Sequence, residues 1–131
     1  MKRTRLLHAE LSEVVARLGH GDLLVIGDAG LPIPDGPRRI DLALSPDVPR
    51  MHEVLAAVLS EMQVEGAVVA DELAARNPQV DAELRRQLAG VPISTTPHED
   101  FKALTGRARA MVRTGECSPY ANVILRAGVV F

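Results

Sequence analysis

The chain has 131 residues, 47% of them hydrophobic and 24% charged, with a formal net charge of −2. That length and balance fit one globular domain that buries roughly two thirds of the surface its unfolded form exposes. With no Trp, one Tyr, two Phe and no basic cluster, a nucleic-acid surface is not expected.

Cys117 stands alone, which excludes an intrachain disulfide and a CxxC-type metal site. The start, MKRTRLLHAELSEVV, is basic but lacks the long apolar core and cleavage site of a signal peptide. No apolar run approaches the ~18 residues of a membrane span. The expectation is a soluble cytoplasmic protein, residues 1–131 forming a single domain with no linker or repeat.

In chain order, Leu7, Leu11, Val14, Val15 and Leu18 recur at helical spacing, so a helix is expected over about 8–18, ended by Gly19. LLVIG (23–27) is an unbroken apolar run between Asp22 and Asp28, the mark of a strand buried on both faces. DAGLPIPDGPRR (28–39) holds two glycines and three prolines and reads as a shaped loop. IDLAL (40–44) alternates like a short strand, and VPRMHEVLAAVLSEM (48–62) carries an apolar helical face.

GAVVA (66–70) is the next buried strand. Asn77 looks like an N-cap with Pro78 at the first helical position, opening a helix that closes at Gly90. VPIST (91–95) reads as a strand and PHEDFKAL (97–104) as a helix; RAMVRTGE (109–116) leans towards strand, and ANVILRAGVVF (121–131) is strongly strand-like. Alternating helices and short buried strands give a layered α/β domain, with a mainly parallel central sheet flanked by helices. The apolar end, Val129-Val130-Phe131, is expected to dock in a core or a subunit interface, since free ends fray in water.

Three groups of polar residues stand at element ends. His20 precedes the first buried strand and Asp28 follows it, with five extended residues, ~16 Å, between them. They are either caps on a helix end and a turn, or parts of a site at a sheet edge, which a bend or a second subunit would have to bring together. His98 and Lys102 are four apart on one helix face, either solvated or holding a small polar ligand just beyond a strand. SPYAN (118–122) places Tyr120 and Asn122 just before a strand, as a local turn or as donors and acceptors for sugar hydroxyls. His8 and His52 have no partner at ligand spacing, and no dinucleotide, P-loop or nucleophile-elbow pattern occurs.

LGHGDLLVIGDAGLPIP and TGECSPYANVILRAGVVF resemble the D-ribose pyranase family, a branch of the ribose pyranase/fucose mutarotase superfamily. RIDLAL, VPRMHEVL, EMQVEGAVVADE, NPQV and TTPHEDFK carry the resemblance along the whole chain. It implies an isomerase that converts D-ribose between pyranose and furanose forms, feeding a ribokinase. It implies His20 as the acid/base residue, with Asp28, His98 and Tyr120-Ala121-Asn122 binding the sugar. Lys102 is a weaker candidate on the face of His98. It further implies a ring-like homo-oligomer, typically a decamer, with sugar sites at subunit boundaries. DAGLPIP and the proline before Tyr120 favour the ribose branch over fucose mutarotases. Ring interconversion needs a proton moved on and off oxygen, which imidazole does near neutral pH, so neither cofactor nor metal is expected.

Overall fold

The computed structural model describes all residues, 1–131. In chain order the elements are α1 (Ala9–Arg17), β1 (Leu23–Gly27), β2 (Arg38–Asp41), α2 (Met51–Leu59), β3 (Val64–Ala70), α3 (Leu73–Arg76), α4 (Pro78–Gln87), β4 (Ile93–Thr96), α5 (His98–Thr105), β5 (Ala110–Arg113) and β6 (Val123–Ala127). The strands form one six-stranded sheet in the order β2-β5-β1-β6-β3-β4. β2, β5 and β1 pair parallel, as do β3 and β4, while β6 lies antiparallel to both β1 and β3. Five strands therefore point one way and β6 runs against them, the mainly parallel sheet that the alternating pattern predicts.

Side-chain alternation divides the core by sheet face. Leu24, Ile26, Ala110, Val112, Val123 and Leu125 join α1, α2, α3 and α4 in a cluster of 22 buried residues. Val25, Met111 and Ile124 point the other way, into a smaller cluster with Leu31 and Phe101 of α5. β1 thus has apolar layers on both sides, and Leu24, Val25 and Ile26 are all fully buried. This is the physical origin of the unbroken LLVIG run. The second face is covered by α5, the turn that follows it and the loop after β1.

Several boundaries depart from the sequence-based expectation. α2 begins at Met51 rather than 48, because its first turn is fixed by carboxylates: Glu53 accepts from Arg50 N at 2.8 Å and Glu116 from Met51 N at 3.2 Å. β2 covers 38–41 instead of 40–44; it is an edge strand whose limits follow its pairing with β5, and edges tolerate Arg38 and Arg39. The expected cap is present, with Asn77 Oδ1 accepting from Val80 N and Pro78 at the first position, but α4 stops at Gln87, before Gly90. The four-residue α3 has too few turns to show periodicity and was not expected.

α1 ends at Arg17, and its N-terminus is capped by His8, whose Nδ1 accepts from Leu11 N at 3.2 Å. At the other end of the chain, β6 stops at Ala127 and Gly128 N donates to Gln63 O. Beyond it Val130 and Phe131 are 86% and 101% exposed, so the apolar end does not dock in the chain's own core. No helix is long and apolar enough to cross a membrane.

Candidate active site

Because β6 runs against the other strands, its start lies at the edge where the parallel strands end. The segment before it, 116–122, therefore meets Asp28, the first residue after β1. Asn122 Oδ1 accepts from Asp28 N at 2.7 Å, and its Nδ2 donates to Asp28 Oδ2 at 2.9 Å. The other Asp28 oxygen accepts from Gly30 N at 2.8 Å, closing the turn. Asn122 is fully buried. Gly27 permits this approach: a Cβ there would stand 2.7 Å from Leu31 Cδ2 and 3.1 Å from Asn122 Oδ1.

The 116–122 segment is bolted from several sides. Asn77 Nδ2 donates to Ser118 Oγ (2.9 Å) and Pro119 O (2.8 Å). The buried Glu116 accepts from Met51 N, Ser118 Oγ and Arg50 Nη1. Held this way, Tyr120 adopts φ +57°, a left-handed conformation that side chains other than glycine adopt only where surroundings enforce it. Its ring meets the His98 ring edge-on at 5.0 Å, and His98 also stacks on Phe101 at 6.2 Å.

His98 opens α5, with its backbone N–H donating to the Glu72 carboxylate at 3.0 Å. Its Nδ1 is buried without a hydrogen-bond partner, the condition of a group that a ligand oxygen would satisfy. Asp28, His98, Tyr120, Ala121 and Asn122 are thus brought together at one edge. Lys102 is not joined to them; its Nζ pairs with Glu99 at 2.8 Å.

His20 lies at the opposite edge, as the strand arithmetic predicts. It caps no helix. Its Nε2 meets Glu65 Oε2 at 2.8 Å, and Glu65 Oε1 accepts from Arg126 Nε at 2.8 Å. Asp22, two residues on, accepts from Gly19 N (2.8 Å) and Arg109 Nε (2.9 Å). The Gly19 N–H first, and then Arg109, hold the Asp22 carboxyl below its usual range. A groove of about 500 Å³ opens beside this group, walled in part by Gly21, Gly66, Arg107 and Arg126. No cluster of three or more His, Cys, Asp or Glu side chains is placed to hold a metal ion.

Glu65, Glu72, Glu116 and Arg126 escaped the sequence reading. Each has a partner more than 20 positions away in sequence. A lone Glu or Arg in a strand or loop carries no spacing signal.

The sheet topology belongs to a known class: the chain is a member of the RbsD / FucU transport protein family, which it matches over residues 1–130. It is 63% identical over 133 residues to the D-ribose pyranase of Variovorax paradoxus (strain S110), with all of both chains covered. Among solved structures it is similar to Bacillus subtilis RbsD complexed with D-ribose, at 44% identity and a TM-score of 0.97, covering 100% of each chain. The fucose mutarotase of Streptococcus pneumoniae in complex with L-fucose is more distant, at 26% identity and a TM-score of 0.84 over the full length of both.

Proposed function

We propose that this protein is an intramolecular isomerase that interconverts the pyranose and furanose forms of D-ribose. The observation that carries this reading is the 63% identity, end to end, with a D-ribose pyranase. Asp28, partly exposed and locked in place by the buried Asn122, offers its remaining lone pairs to sugar hydroxyls. His98 offers its unpartnered Nδ1, and the Tyr120-Ala121-Asn122 backbone is held in one conformation to receive the ring.

In the reaction the anomeric hydroxyl loses its proton and the ring oxygen gains one as the C1–O5 bond breaks. The open aldehyde then recloses through the C4 hydroxyl. His20 moves these protons; positioned acid–base catalysis is worth about 10²–10⁴-fold, ample for a reaction that already proceeds in water. Since His20 and Asp28 flank β1 at opposite edges, one working centre takes His20 from one copy and the sugar-binding edge from its neighbour. The exposed Val129, Val130 and Phe131 support burial between copies, in a ring-like homo-oligomer of the decameric type. The furanose product would supply a cytoplasmic ribokinase.

Saturation-transfer NMR on D-ribose tests this reading. The protein should speed exchange between pyranose and furanose signals, and His20→Ala should abolish that acceleration. No acceleration by the wild-type protein overturns the activity; full exchange by His20→Ala overturns only the role of His20. Faster exchange on L-fucose than on D-ribose would move the protein to the mutarotase branch. A stable monomer in light scattering that still catalyses exchange would contradict the shared centre.

A further inference from the structure

His20 has one side-chain partner, and the chain is locally distorted to supply it. β3 and β6 pair Val64 with Ala127 and then Gly66 with Arg126, so Glu65 is the extra residue of a β-bulge. Bulges redirect a side chain away from its regular face, and they recur beside active sites. Gly128 makes the space: a Cβ there would stand 3.0 Å from Glu65 Cβ and 3.4 Å from Glu65 N. The backbone on the other side is pinned as well, with Gly21 N donating to Ala127 O (2.8 Å) and Ala127 N to Asp22 O (2.9 Å).

From this bulge, we infer that Glu65 is the positioning residue of the reaction, orienting His20 so that Nδ1 is its working nitrogen. This rests on the acid–base role proposed for His20. The deduction turns on donors and acceptors. Glu65 grips the Arg126 guanidinium with one oxygen and His20 with the other, and a carboxylate so engaged accepts hydrogen bonds and donates none. Nε2 must therefore carry the proton of the neutral imidazole, which leaves the lone pair on Nδ1. When Nδ1 takes the proton of the anomeric hydroxyl, the cation formed lies 2.8 Å from an opposite charge.

The charged groups of this edge come from three directions. Glu65 on β3 touches His20, Arg126 on β6 touches Glu65, and Asp22 on the His20 turn is occupied by Gly19 N and Arg109. Arg107 shares the adjoining groove with Arg126. Glu65 is thus the only carboxylate in contact with the imidazole.

Two variants at Glu65 separate orientation from charge. Glu65→Ala removes the acceptor, and kcat for ribose ring exchange should fall roughly tenfold or more while KM stays within about twofold. Glu65→Gln keeps an acceptor without the charge and should recover part of that loss. In ¹⁵N NMR above the His titration range, wild-type His20 should show a protonated Nε2 and a bare Nδ1, and Glu65→Ala a mixture of tautomers. Arg126→Gln leaves Glu65 unanchored and should cost less than Glu65→Ala.

Wild-type kcat in a folded Glu65→Ala protein, or unchanged His20 resonances in it, would overturn the inference. Its failure is distinct from that of the parent reading. If His20→Ala is inactive while Glu65→Ala is fully active, the role of His20 stands and that of Glu65 does not. Full exchange by His20→Ala removes both.

Discussion

Asp28 and Asn122, 94 positions apart in sequence, exchange two hydrogen bonds across the edge of the sheet, one from each residue's N–H group to the other's oxygen. The pair closes the seam between the end of β1 and the start of β6. Replacing Asn122 with Ala leaves Asp28 N–H and one carboxylate oxygen without their partners in a half-buried setting. The expected loss is about 1–3 kcal/mol of stability, read from urea midpoints, together with a raised KM for ribose. A variant as stable as wild type would show that water replaces the amide without cost.

Gly27→Ala attacks the same seam by crowding. The new methyl would press on Leu31 and on Asn122 Oδ1, so the loop after β1 must shift. Overpacking of this kind costs about 1–3 kcal/mol. Activity should fall with it, because the displaced atom is the acceptor that fixes Asp28. Thermal unfolding and exchange kinetics on one preparation check both.

Two other glycines should respond in opposite directions. A Cβ on Gly115 would lie 2.5 Å from Val48 O and 2.6 Å from Ser45 O, both backbone atoms that cannot swing aside. Gly115→Ala is expected to lower stability by about 1–3 kcal/mol or to prevent folding. A Cβ on Gly66 would meet nothing nearer than Pro92 O at 3.9 Å. Gly66→Ala should therefore raise stability by about 0.5–1 kcal/mol, a gain that calorimetry would detect.

Acid should weaken the turn that carries His20. The Asp22 carboxyl is held below its ordinary value, chiefly by Gly19 N–H and then by Arg109. A depressed folded value means that its contribution is complete above the unfolded value, ~4, and is lost as pH falls through the folded one. Asp22→Asn should flatten this part of the acid limb when urea midpoints are followed from pH 6 to pH 2. An unchanged slope would show that the turn is held by its backbone alone.

The sequence was most informative where one local cause decides the structure. LLVIG is buried on both faces and has the bounds expected of it, and Asn77-Pro78 opens α4 as an N-cap followed by proline should. Where limits depend on distant partners, the pattern blurred: β2 takes its register from β5, and α2 starts where Glu116 caps it. The candidate site divides in the same way. Asp28, His98, Tyr120 and Asn122 were legible as polar residues flanking strands, and the resemblance gave them meaning. Glu65 was not, since a bulge arises between two strands about 60 positions apart and leaves no mark in either.

β6 acts as a gauge. It begins next to Asn122, carries one residue before its end the arginine that grips Glu65, and is hydrogen-bonded along both sides to β1 and β3. Its five residues set a span of ~16 Å, in a backbone that neither stretches nor slides. In a closed ring of such copies, each strand would join the sugar-holding half of one reaction centre to the proton-moving half of the next. A change in the length or register of β6 would therefore misplace Asn122 and Arg126 at once.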